Sequence, residues 1–209
     1  MAIGRRDIIE MLRSDIDRLK RQNQQLENRL ARQHQAFRVM ARLLDKIRAM
    51  SVEEDLPATL NELLADVMHA CNIENGSLLL IDEDSGELEF VAVIGEAASY
   101  LMSRRIPLGT GLVGRVIESG EPLLVEDVRY TSGWSTAIDE MLDFHTQSLM
   151  CVAVTVHDQV VGAIEVVNHV DQPEFDENDL NVLRVAARLV SQVMECIEER
   201  MLQAGENNE

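Results

Sequence analysis

Gly109, Gly111 and Gly114 fall within six residues, in the spacing G-x-G-x-x-G. A glycine-rich turn that opens a helix can present backbone N–H groups to a phosphate, so on its own this spacing suggests a dinucleotide. That fingerprint belongs in a long β-α-β unit, and none surrounds it here. Instead a short helical run, Leu112 to Ser119, follows the turn and is closed by Gly120. Glu121-Pro122 then leads into an apolar strand, Leu123 to Val125. Glycine reaches backbone angles that a Cβ forbids and lets the chain pass close to another group. The stretch from Ile106 to Asp127 is therefore read as one wall of a pocket.

The other chemically capable side chains are sparse. Cys71, Cys151 and Cys196 are odd in number, widely spaced and without a C-x-x-C. That fits reduced thiols buried in a cytosolic domain, not a disulfide framework. His69-x-Cys71 is too small a cluster to hold a metal, and His145 stands alone. No nucleophile–base pair stands out, so no catalytic residue and no metal ligand are assigned.

The net charge of −18 is unevenly placed. Residues 1–50 carry 12 Lys and Arg against 6 Asp and Glu, or +6; residues 51–209 carry 7 against 31, or −24. The larger part would repel nucleic acid and anionic membrane. The basic charges of the first part are interleaved with Asp7, Asp15 and Asp17, as on a solvated helix face. No apolar run approaches the roughly 18 residues of a membrane span, and the N-terminus lacks a signal-peptide core. A cytoplasmic chain without nucleic-acid or membrane partners is expected.

The elements that position these residues follow from periodicity. Residues 8–48 contain no Gly or Pro, and Ile9, Leu12, Ile16, Leu19, Asn23, Leu26, Leu30, Gln33, Phe37, Met40, Leu44 and Ile47 repeat at 3,4 spacing. This predicts one long coiled-coil helix. With Ile9 at position a, Asn23 also falls at a, where a buried Asn fixes a parallel two-stranded register. Asp15 and Lys20 fall at g and the following e, an attractive pair between chains. A parallel homodimer is expected, with residues 1–50 as its dimerisation helix.

Ser51-Val52-Glu53-Glu54 reads as a capping box, and Pro57 suits the first turn of a second helix ending near Asn72. Strands are expected over Ser77–Asp82 and Leu88–Ile94, a short helix between Gly95 and Arg105, and another from Ser135 to Phe144. Ser148–His157 and Val160–Asn168 read as two buried strands joined tightly at Asp158-Gln159. Asp176 is a good N-cap for a last helix, with Asp179 at N3 and a Phe175–Leu180 hydrophobic staple. That helix carries Leu180, Leu183, Ala187, Val190, Met194, Ile197 and Met201 at 3,4 spacing, and residues 204–209 are expected to be a disordered tail.

Four motifs in this order resemble a GAF domain over about Leu56 to Met201. They are Gly76-Ser-Leu-Leu-Leu-Ile-Asp82, the Gly109 to Leu123 stretch with Glu126-Asp127, Ser148-Leu-Met-Cys-Val-Ala-Val, and Val161-Gly-Ala-Ile-Glu-Val-Val-Asn168 running to Phe175-Asp-Glu-Asn-Asp-Leu180. The resemblance implies an α+β fold, a six-stranded antiparallel sheet flanked by helices, in a domain spanning residues 51–203. It also implies a dimeric bundle of the N- and C-terminal helices, and a ligand pocket between the sheet and the irregular segments. Carried over motif by motif, its pocket positions are Ser77, Val113, Trp134, Phe144, Thr146, Ser148 and Glu165. Members bind cyclic nucleotides, bilins, haem, iron, amino acids or oxo-acids, and many have no known ligand, so the resemblance names no cofactor. Where the cyclic-nucleotide subgroup has Asn-Lys, this chain has Asn168-His169 with Asp176-Glu177 retained, so the Lys–Asp pair is lost.

These readings converge on a homodimeric regulatory module that binds a small molecule and relays the event through its helices to a protein partner in trans. A ligand-free dimerisation module is the alternative. A thiol-dependent reductase, known from one branch of the fold, fits poorly with cysteines on helices and in a core strand.

Overall fold

The computed structural model describes residues 5–49, 55–136, 139–140, 144–170 and 175–206. The Ser51–Glu54 capping box and residues 171–174 and 207–209 lie outside them. Helix α1 (Arg5–Ala49) is followed by α2 (Leu56–Cys71), and then by strands β1 (Ile73–Ile81) and β2 (Glu87–Ile94). Next come α3 (Ala98–Leu101), β3 (Arg105–Pro107), α4 (Gly111–Ser119) and β4 (Leu123–Val125). Strands β5 (Leu149–Val156) and β6 (Gln159–His169) and a last helix, α5 (Glu177–Glu206), complete the chain. The six strands form one antiparallel sheet in the order β3-β2-β1-β6-β5-β4.

Alternation along the strands divides the core in two. Leu78, Met150, Val152, Val154, Ile164 and Val166 face one side, under Leu60, Leu64, Val67 and Met68 of α2 and Leu183, Ala187, Val190 and Val193 of α5. Each Leu, Ile, Val or Met side chain among these, fully buried, stabilises the fold by about 1.5–3 kcal/mol. Leu79, Phe90, Leu149, Cys151 and Ala163 face the other side, under Leu112, Val113 and Val116 of α4. Both faces of the central strands are thus covered, which accounts for their near-continuous apolarity.

Local signals explain the helix ends. Pro57 sits in the first turn of α2, and Asn72 ends it in the left-handed conformation at φ 57°. At α5, Asp176 Oδ1 accepts from the backbone N–H groups of Asn178 (2.7 Å) and Asp179 (3.1 Å), and Asp179 Oδ2 accepts from the Asp176 N–H (2.8 Å). This is a reciprocal cap with Asp at N3, and Phe175 and Leu180 are both buried beside it.

Several boundaries depart from the sequence reading. The β5–β6 turn falls on His157 and Asp158, at φ 47° and 63°, and not on Asp158-Gln159; Gln159 already pairs with Val156. Two consecutive positive-φ residues are what a two-residue turn of this twist requires. Helix α5 runs through Gly205 to Glu206, so the expected tail is helical that far. Between Ser135 and Phe144 only Asp139 and Glu140 are helical among the described residues. The third strand was not anticipated: β3 is an edge strand on β2, and its Arg105 reaches both Glu89 and Asp82 at 2.8 Å.

Helix α1 is continuous and touches α2 and α5. Its seam residues Ile9, Leu12, Ile16, Leu19, Leu26 and Leu30 are between 43 and 61% exposed in the single chain. Asp15 pairs within the helix, to Arg18 at 3.0 Å. Among the described residues no helix is long and apolar enough to cross a membrane.

Candidate functional site

The sheet face under α4 is organised in cross-strand rows. Val93, Ser77, Glu165, Cys151 and Leu123 stand directly opposite one another on β2, β1, β6, β5 and β4. Directly opposed residues point to the same side of a sheet, so Glu165 stands mid-sheet between Ser77 and Cys151. The flanking rows place Leu79, Phe90 and Ala163 on one side and Asn75, Val167 and Leu149 on the other. A carboxylate thus rises from an otherwise nearly apolar floor.

A cavity of about 280 Å³ lies over this floor. Leu79, Phe90 and Val93 form its base, Leu101 and Ile106 one end, and Leu112 and Val113 the wall from α4. Trp134, Ser135, Asp139, Phe144 and Thr146 close it from the irregular segment. The glycine-rich turn serves the packing of this wall. Gly109 and Gly111 hold φ of 87° and 64°, and a Cβ on Gly114 would lie 2.3 Å from the Gly109 carbonyl carbon. Thr110 locks the turn by donating its hydroxyl to the Pro107 carbonyl at 2.6 Å.

The polar end is built by the irregular segment. Asp139 accepts from the Thr146 hydroxyl (2.8 Å) and the Thr146 N–H (2.9 Å), and its carbonyl accepts from the Phe144 N–H (2.9 Å). Asn168, left-handed at φ 55°, ties residues 145–148 to the end of β6. Its Oδ1 accepts from the Gln147 N–H at 2.8 Å, and its Nδ2 donates to the His145 carbonyl at 2.8 Å. Burial in the apolar floor, and then the nearby Asp139 carboxylate, push the Glu165 carboxyl up to about 7. Burial, and then the Glu165 charge, push the Cys151 thiol well above the usual thiol range. The thiolate that a nucleophile needs is therefore disfavoured there.

Of the seven pocket positions taken from the motifs, Ser77, Val113, Trp134, Phe144, Thr146 and Glu165 line the cavity. Ser148 does not: its side chain is fully buried beside it, and Oγ has no hydrogen-bond partner among the described residues. The position stands one residue before β5, and alternation turns its side chain away from the sheet face that carries Leu149. His169, which replaces the subgroup's Lys, packs edge-on to Phe175 with ring centroids 5.8 Å apart and does not line the cavity. Sequence reasoning missed Asp139, which sits in a segment without periodicity. It also missed Phe90 and Val93. Strict alternation puts these on opposite faces, but an irregularity in the β1–β2 pairing beside Leu78 and Leu79 brings both to the cavity.

The family model of the GAF domain matches residues 55–194. The nitrogen fixation protein VnfA of Azotobacter vinelandii is 26% identical over 144 residues, covering 68% of this chain and 28% of that protein. The dual 3',5'-cyclic-AMP and -GMP phosphodiesterase 11A of Takifugu rubripes is 24% identical, covering 68% of this chain and 17% of its own length. The chain thus spans less than a third of either relative. Among solved structures, the GAF domain of a phosphoenolpyruvate-protein phosphotransferase from Coxiella burnetii aligns with a TM-score of 0.67 at 16% identity. That match covers 80% of this chain and 98% of the other. Free methionine-R-sulfoxide reductase from Neisseria meningitidis aligns with a TM-score of 0.65 at 21% identity, covering 79% and 91%. The sheet order, the position of the cavity and the family match agree, and the chain belongs to the GAF domain family.

Proposed function

We propose that this chain is a sensory regulatory module that binds a small molecule in the cavity between the sheet and the segment carrying Trp134, Asp139 and Thr146, and passes the event to its helices. The observation that carries this reading is the cavity itself. It is lined mainly by apolar side chains with a few convergent polar groups, the usual build of a small-molecule site. Curated relatives point the same way, among them a Nif-specific regulatory protein of Herbaspirillum seropedicae. The reading is non-catalytic: Cys151 is buried, and its raised pKa disfavours the thiolate.

The relay acts through homodimerisation. The uncovered seam of α1 calls for a second helix, and Asn23 at position a favours a parallel pair. Helix α1 touches α2 and α5, which pack on the far side of the ligand-bearing sheet. A ligand that prefers one arrangement of the lining residues Trp134, Asp139 and Thr146 would bias these helices and so reach a protein partner in trans.

Trp134, the sole tryptophan, lines the cavity and reports on its contents. A metabolite panel screened by Trp134 emission and thermal unfolding should contain a compound that changes both. At a hundredfold excess over Kd the expected stabilisation is about 2.7 kcal/mol, or roughly 5–10 °C for a domain of this size. A broad panel that moves neither signal contradicts the reading.

A further inference from the structure

The cavity's charge is one-sided. Glu165 and Asp139 line it, and none of its described lining residues is Lys, Arg or His. Asp139 is already held by Thr146. Glu165 accepts no hydrogen bond among the described residues, although it stands on an apolar floor where an ionised carboxylate is costly. From each surrounding element the groups facing it are Ser77 on β1, Cys151 on β5, Asp139 in the lid, and uncharged residues of α4. No described group lining the cavity neutralises it.

We propose that the cavity takes a small molecule with a cationic nitrogen head and an apolar body, the head seated at Glu165 and Asp139 and the body against Leu79, Phe90, Val93 and Val113. The proposal rests on the reading of the cavity as a ligand site. A protonated amine supplies the donors and the charge that Glu165 lacks, in surroundings where such a pair is poorly screened. An anionic ligand would place a third negative charge beside two carboxylates. The phosphate reading of the glycine-rich turn is disfavoured for the same reason.

The test uses the full chain and three probes of similar size: 2-phenylethylamine, 2-phenylethanol and 3-phenylpropanoate. Titrations are followed by Trp134 emission and calorimetry at pH 8. The amine should bind at least about tenfold more tightly than the alcohol or the carboxylate. Glu165→Gln, close in size and uncharged, should abolish that preference. Asp139→Asn should reduce the preference in the same direction. For the wild type, raising the pH from 6 to 8 ionises Glu165 and should strengthen amine binding by up to about tenfold, a change absent in the Gln variant. If the alcohol or carboxylate binds as tightly as the amine, or the Gln variant keeps the preference, the ligand class is wrong and the cavity remains a ligand site. If none of the three binds, the proposed ligand class falls, and the ligand-site reading is decided by the broad metabolite panel.

Discussion

Glu165→Gln should alter how stability depends on pH. Glu165 titrates near 4.5 when unperturbed and at about 7 in the fold. Between those values the unfolded chain has released a proton that the folded chain retains, so stability falls as the pH rises. The contribution is fully present below pH 4.5 and is lost by the time the pH has passed 7. A shift of that size corresponds to about 3 kcal/mol, a large share of a typical domain's stability. The Gln variant has no such proton to lose. It should therefore match or slightly trail the wild type near pH 4.5 and exceed it by about 3 kcal/mol at pH 8.

Urea unfolding at fixed protein concentration, followed by circular dichroism at pH 5, 6, 7 and 8, measures the difference. Two other groups titrate in the opposite sense. The Ser85 N–H and hydroxyl lower the pKa of Asp82, and hydrogen bonds from Arg129 lower that of Asp127. Their contribution is present above 3.8 and lost in stronger acid, and both are common to wild type and variant, so they cancel in the comparison. Stability curves for wild type and variant that stay parallel from pH 5 to 8 would refute the argument that Glu165 is held in an apolar, unpaired setting.

Gly114→Ala should lower stability by about 1–3 kcal/mol in urea unfolding, because its Cβ would meet the backbone of Gly109, which cannot rotate away. Asn168→Ala should cost about 1–3 kcal/mol and speed amide exchange at Gln147, whose N–H loses its acceptor. Asp176→Ala should cost about 1 kcal/mol through the α5 cap, with no effect on Trp134 emission. Light scattering should return a dimer mass at micromolar concentration, and Asn23→Leu should change oligomeric state or thermal stability; a monomer mass would remove the parallel homodimer.

The parts of the fold legible in sequence were those with long periodic or strongly capped signals. The unbroken 3,4 pattern gave α1, and Asp176 with Asp179 gave the start of α5. Strand β3 was not legible, because Arg105-Ile106-Pro107 has no pattern of its own and is strand only by pairing with Glu87 to Glu89. The start of β1 was hidden because Ile73-Glu-Asn-Gly76 reads as a turn. In the sheet, Gly76 is needed instead because a Cβ there would lie 2.9 Å from the Glu165 carbonyl oxygen. The site was legible where motifs fixed residues to strands, as at Ser77 and Glu165. Asp139 and the placement of Ser148 depend on how an irregular segment folds back on the sheet, which no spacing encodes.

A crystal structure of the protein purified from its native host would show what occupies the cavity above the Glu165 carboxylate. Density for a small molecule should fill the cavity, with a nitrogen within hydrogen-bonding distance of Glu165. A cavity closed by the Trp134 and Phe144 side chains, with Glu165 hydrogen-bonded to the protein itself, would contradict it.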